Sequence, residues 1–272
     1  MSSPTGSTPT PPPPQMYAAP VPPTAPEPAG PGLSEPQRLV NVSIAPSKTF
    51  EDLKRNASWW VPWVIAAVFG IISAFLIGQK VDLERLAQHR TEQSKFAQQR
   101  LEQLSPAQRE QAMRTQATIL KITLYIRPIF GLLGGLIVAA VLMAVYNFVL
   151  GAEVPFQRAM AVVFYASLPL LVKVVLLWLN LFISSDPSGI DPDINPVATN
   201  PGFFMDPQQA NKFIYYLASG VDVIAIWVTV LMGIGFAKAS SNRKPNLGTS
   251  MATMFVIYGI LVVGGAAIAS VF

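Results

Sequence analysis

Five apolar stretches, each long enough to cross a bilayer, constrain this chain more than any other feature. A spanning helix needs roughly 20 mostly apolar residues. The stretches run from Trp59 to Gly78, from about Arg127 to Leu150, from about Ala159 to Ser184, from about Phe213 to Ala237, and from about Thr249 to Phe272. Lipid offers no partner to a free N–H or C=O, so all five must be helical. Composition agrees: 51% of the residues are hydrophobic and 12% charged, against roughly 25% charged in a soluble domain. The expected fold is an all-α polytopic membrane protein. It has five transmembrane helices, an interfacial N-terminal helix and a polar helical insert between helices 1 and 2.

Residues 1–36 are rich in proline, serine and threonine and include the run Pro11 to Pro14. They read as a disordered, partly polyproline tail ahead of a membrane domain over 37–272. The N-terminus has neither a basic start nor an early apolar core, so no signal peptide is expected. From Arg38 to Arg55, Leu39, Val40, Val42, Ile44, Phe50 and Leu53 alternate with polar residues. Pro46 divides this segment, and Ser47 or Thr49 is the expected cap of its second half. Trp59, Trp60 and Trp63 follow, as suits a membrane interface.

The insert, residues 79–117, is built of helix formers. Leu83, Leu86, Phe96, Leu101 and Leu104 give it a thin apolar stripe, and Ser105-Pro106-Ala107-Gln108 is a capping box with proline at the first position. It reads as a solvated helical hairpin; the alternative is a partner-binding arm. Between spans three and four, Asp191 and Asp193 have an Asp-x-Asp spacing. The rest of a calcium loop is absent, so a structural turn is expected.

Lys173 and Asp222 fall inside spans three and four. A charge at the bilayer centre costs about 2.5 to 3.5 kcal/mol on insertion scales, so it must be paired, hydrated or used. Tyr165, Pro169, Lys173, Asn180 and Ser184 fall at helical spacing, as do Tyr215, Ser219, Asp222 and Thr229. Counted from the same membrane face, Lys173 lies eleven residues deep and Asp222 nine, a difference of about 3 Å. The two charges are expected to meet inside the bundle. With Trp227 they make a candidate intramembrane polar core of Tyr165, Pro169, Lys173, Asp222 and Trp227. Its plain reading is a neutralised pair that fixes helix register; its functional reading is an ion or proton relay. Small residues in span one (Gly70, Ala74, Gly78), span two (Gly131, Gly135, Ala139) and span five (Gly259, Ala266) predict close helix packing.

The chain has no cysteine and one histidine, His89. This rules out thiol chemistry and a multi-histidine metal site. No hydrolase, zinc-protease or phosphate-loop motif occurs. No catalytic, cofactor-binding or metal-binding residue is therefore expected, and no cofactor. The net charge of +4 is spread over the loops, which argues against a nucleic-acid partner. The expected partners are the lipid bilayer and a protein or second copy, met through the transmembrane helices or the polar arm. Lys238, Arg243 and Lys244 lie between spans four and five. The positive-inside rule then puts the N-terminus in the cytoplasm and the C-terminus outside.

Several segments together resemble one family. They are Arg38-Leu39, Ala45-Pro46-Ser47-Lys48-Thr49-Phe50, Trp59-Trp60-Val61-Pro62, Phe156-Gln157-Arg158-Ala159-Met160-Ala161-Val162 and Tyr165-Ala166-Ser167-Leu168-Pro169. Val221-Asp222-Val223-Ile224-Ala225-Ile226-Trp227 and Gly233-Ile234-Gly235-Phe236-Ala237-Lys238 complete the set. Their order resembles the Yip family, the Ypt/Rab-interacting-protein membrane family, particularly its bacterial members. The resemblance covers about Arg38 to Phe272. It implies five membrane helices, a cytoplasmic N-terminus and no catalysis. Eukaryotic members act in vesicle trafficking and contact small GTPases. They carry Asp-Leu-x-Gly-Pro before the first span; here the nearest text is Asp52-Leu53-Lys54-Arg55, so GTPase binding is not carried over. The expected function is a non-enzymatic membrane scaffold or interaction protein, in a bacterial inner membrane. The alternatives are a small transporter or channel using Lys173 and Asp222, or an accessory subunit that recruits a soluble partner.

Overall fold

The computed structural model describes residues 31–271 apart from 208, 243 and 244. The proline-rich tail expected over 1–36 lies outside the described residues as far as residue 30. The helices are α1 (Glu35–Ile44), α2 (Pro46–Asp52), α3 (Trp60–Lys80), α4 (Leu83–Gln93), α5 (Lys95–Glu102), α6 (Pro106–Ala144), α7 (Phe156–Ala166), α8 (Leu170–Ile183), α9 (Lys212–Gly220), α10 (Val223–Ala239) and α11 (Leu247–Val271). No strand occurs among the described residues. The protein is all-α and polytopic. Four helices are long and apolar enough to span a membrane: α3, α6 with its extension to Val149, α7 joined to α8, and α11. α9 and α10, bent by 52° at their junction, are together long and apolar enough for a fifth. Val64, Val68, Ile71 and Phe75 of α3 are exposed, as are Ile129, Leu133 and Ile137 of α6 and Val256, Ile260 and Ile268 of α11. Surfaces this apolar suit lipid, not water.

The core forms around α7, whose residues from Ala159 to Ala166 are all buried. Neighbours approach it closely because they present glycine. A Cβ on Gly135 of α6 would sit 2.6 Å from the Phe164 ring, and one on Gly235 of α10 would sit 2.5 Å from Val162. In the same way Gly70 of α3 receives the ring of Pro128, which lies inside α6. The small-residue faces read from the sequence are therefore only partly used. Gly131 and Gly259 have nothing within 4 Å of a built Cβ, whereas Ala74, Ala139 and Ala266 are buried.

The span expected from Arg127 starts much earlier as a helix. Ser105 and Gln108 form the capping box, Pro106 takes the first position, and α6 runs unbroken for 39 residues, about 58 Å. Its first turns, Pro106 to Ala117, belong to the insert, and its later half, from about Arg127, is the membrane span. A π turn, Val145–Val149, ends it. The turn puts Tyr146 into the core, where its ring stacks on Phe236 and its hydroxyl lies 2.8 Å from Ser250 Oγ. Gly151, at φ +64°, supplies the left-handed residue of the connection to α7.

The N-terminal segment does more than lie at the interface. Val42, Phe50 and Leu53 are fully buried in the same core as α7 and α10. Val40 and Ile44 point the other way and are exposed, the amphipathic split expected of an interfacial helix. α2 has no side-chain cap. Thr49, one of the expected caps, instead donates to the Arg38 carbonyl at 3.3 Å. The hydroxyl is spent on joining α2 back to α1.

Candidate functional site

Span four breaks where its charge lies. α9 ends at Gly220, and Asp222 in extended backbone caps α10. Its Oδ1 accepts from the backbone N–H groups of Ile224 at 2.9 Å and Ala225 at 3.0 Å. Its Oδ2 accepts from Lys173 Nζ at 2.8 Å and Thr199 Oγ1 at 2.6 Å. An ionised carboxylate has about four acceptor sites, and all four are taken. Asp222 is 4% exposed and Lys173 32%. The freed backbone is also satisfied: Val223 N–H donates to the Thr199 carbonyl at 3.0 Å, and the Tyr258 hydroxyl to the Gly220 carbonyl at 2.5 Å. This meets the rule that broken helices inside a membrane re-pair their freed groups within the protein.

Thr199 comes from the connection between α8 and α9. The acidic half of that connection is a surface turn, but its middle dips into the bundle. Asn180 of α8 donates to the Pro196 carbonyl at 2.8 Å. Asn195 takes a left-handed φ of 45° and donates to Tyr215 and Ser219 of α9. Gly202 lies against Ser219 so closely that a Cβ there would clash with Ser219 Oγ.

The expected core residues do not form one cluster. Lys173 and Asp222 come together. Pro169 ends the tight turn between α7 and α8 and starts the latter helix, and Trp227 packs partly buried against the main core. Tyr165 faces the N-terminal segment, where its hydroxyl donates to Glu35 Oε2. The turn at Ser167 to Pro169 takes Tyr165 out of the helical register of Lys173.

Tyr165 thereby joins a cluster that periodicity did not reveal. Arg38 is 3% exposed; its Nη2 lies 2.7 Å from Asp52 Oδ2 and its Nη1 3.1 Å from Glu35 Oε1. Asp52 Oδ1 also accepts the Leu33 N–H at 3.1 Å. Arg38 and Asp52 stand on opposite sides of Pro46, and a turn at that proline is the signal that they meet.

A third cluster ties the insert to the acidic loop. Arg90 of α4 reaches Asp191 at 2.6 Å and Asp193 at 2.8 Å, and Arg127 of α6 reaches Asp193 at 2.6 Å. The Asp193 N–H donates to Asp191 Oδ1 at 2.8 Å, so the Asp-x-Asp spacing forms a turn. Burial pushes the Asp193 carboxyl up. The hydrogen bond from Arg90 and the charges of Arg127 and Arg90 outweigh it and hold Asp193 below the usual aspartate value. Arg85 and Asp186, 3.2 Å apart, add an exposed pair. Among the described residues no group of His, Cys, Asp or Glu is arranged to hold a metal.

The fold and these clusters define a multi-pass α-helical membrane protein with a capped break in its fourth span. A family model for the Yip1 domain matches residues 40–266, and the chain belongs to that family. No curated protein and no solved structure matches it.

Proposed function

We propose that this protein is a non-enzymatic membrane scaffold or interaction protein, with a role in membrane organisation or trafficking. The observation that carries this reading is the saturation of Asp222 by Lys173, Thr199 and two backbone N–H groups. A carboxylate with all its acceptor positions filled acts as a strut; an ion-coupling site needs a position that exchanges. The reading also takes residues 37–272 as one membrane unit, its N-terminus in the cytoplasm of a bacterial cell. Lys54, Arg158 and Lys238 stand at one end of the bundle, the end this reading puts in the cytoplasm. The test is reconstitution in liposomes with ion and proton flux recorded. No flux above empty vesicles is expected. Flux abolished by Asp222→Asn would establish the transporter instead.

One observation favours a second reading, an accessory subunit that recruits a soluble partner. The insert holds an open, mostly apolar crevice of about 580 Å³ lined by Leu101, Leu104, Met113 and Ile119. Deleting residues 80–116 and comparing the co-purifying proteins tests it.

A further inference from the structure

Arg38 has Asp52 and Glu35, while Arg85, Arg90 and Arg127 all face aspartates of the acidic loop. Lys54 and Arg158 differ. Among the described residues, no carboxylate lies within ion-pair distance of either. Both lie beside the contact of α2 with α10: the Lys54 N–H donates to the Glu51 carbonyl at 3.1 Å, and Arg158 to the Ala239 carbonyl next to Lys238. Partial burial, then the charges of Arg158 and Lys238, press the Lys54 ammonium below its usual value, with Glu51 alone opposing. Glu51 is already engaged, 2.6 Å from Lys238.

The three cations come from different elements at one end of the bundle. Lys54 follows α2 and lies just ahead of Trp59 and Trp60, where α3 enters its span. Arg158 is in the first turn of α7 and Lys238 in the last turn of α10. Span termini and tryptophans mark the headgroup level of a bilayer. Arg158 is oriented in advance: its Nη1 donates to the Ala239 carbonyl at 2.7 Å and to Ser241 Oγ at 3.1 Å. Its Nε and Nη2 donate to no other described residue. The α7 N-terminus beside it has no side-chain cap, so its first N–H groups add positive potential.

We propose that Lys54, Arg158 and Lys238 bind the phosphate of an anionic phospholipid headgroup. Like charges gathered at a membrane edge with one engaged carboxylate need an outside anion, and the lipid surface supplies it at that height. Exposed Trp60 and Val64 on α3, with Val40 and Ile44 on α1, offer apolar surface for its chains. A basic side chain near an anionic membrane surface contributes about 1 kcal/mol, or about fivefold in binding.

The experiment uses the full chain in phosphatidylcholine bilayers with spin-labelled phosphatidylglycerol or phosphatidylcholine, and reads the relative association of the two labels. The native chain is expected to prefer phosphatidylglycerol. Exposed Lys54→Gln should lose about fivefold of that preference, and Lys54→Gln with Arg158→Gln nearly all of it. Glu51→Gln removes the opposing carboxylate and should raise it. Lys212→Gln, a cation at the start of α9, should leave it unchanged. Should the double variant misfold by circular dichroism, the Lys54 and Glu51 variants carry the test in opposite directions. The proposal is overturned by equal association of the two labels with the native chain, or by full preference in Lys54→Gln. It is overturned equally if inorganic phosphate at millimolar level displaces the labelled lipid, since the site then serves a free anion.

Discussion

Asp222 caps α10 with one carboxylate oxygen and holds Lys173 with the other, at 2.8 Å. Capping and charge pairing are separable by substitution. Asparagine caps as well as aspartate but carries no charge. Lys173→Met or Asp222→Asn alone leaves one partner unbalanced and should cost about 2–4 kcal/mol, at or below the range for breaking a buried pair because Lys173 is partly exposed. The double variant Lys173→Met with Asp222→Asn should recover most of that loss. Lys173→Met with Asp222→Ala should stay about 1 kcal/mol lower for want of the cap. Thermal unfolding in detergent reads all four. Single variants as stable as the native chain would remove the strut from the account.

Gly235 stands where α10 passes α7, with Val162 and Phe50 both near its missing Cβ. Both neighbours are fully buried, so neither can swing away. Gly235→Ala should destabilise by about 1–3 kcal/mol through overpacking. Gly259→Ala, on the open face of α11, is the control and should change stability by less than about 0.5 kcal/mol. Equal unfolding midpoints for the two variants would contradict this packing.

The N-terminal hairpin is clamped by a buried ion pair. Arg38→Ala strands Asp52, which is 7% exposed, and should cost about 3–5 kcal/mol. Tyr165→Phe removes only the hydroxyl donor to Glu35 and should cost about 1 kcal/mol. Limited proteolysis between α2 and α3 reports the release: cleavage is expected to speed up strongly in Arg38→Ala and slightly in Tyr165→Phe.

The strap between insert and acidic loop should be acid-sensitive. Asp193 has a lower pKa in the folded chain than the ordinary aspartate value of about 3.9. Its stabilisation is therefore complete above that ordinary value and is lost as pH falls through the lower folded one. The contribution is about 1 kcal/mol, since Asp193 is 40% exposed. Unfolding midpoints measured from neutral pH downward should decline more steeply below about pH 4 in the native chain than in Arg90→Gln, whose neutral-pH midpoint is already lower. Parallel curves would show that the strap bears no load.

Hydropathy alone made the membrane class, the helical content and the approximate place of each span legible, because a bilayer admits few ways to satisfy a backbone. Local chemistry did as well where one residue type does one job, as at Ser105, Pro106 and Gln108. It did less well where a polar side chain had a choice of partners. Thr49 suits an N-cap but bonds the Arg38 carbonyl, and Asp222 reads as a buried charge but is also a helix cap. Gly220 and Val221 before Asp222, with an apolar run after it, form a start-and-stop signal that the long hydrophobic stretch hides.

What the sequence determined by itself is therefore the solvent this chain folds in and the helices it makes there. Both follow from short-range rules of burial and backbone pairing. Tertiary structure alone decided the partners: Tyr165 with Glu35, Arg90 with Asp191 and Asp193, and Thr199 with Asp222. The physical reason is that helical periodicity assigns a residue to a face without saying what lies opposite. The turn at Ser167 to Pro169 and the 52° bend at Asp222 change those faces midway through a span. A connection that folds into the bundle, as the one carrying Thr199 does, leaves no periodic trace at all.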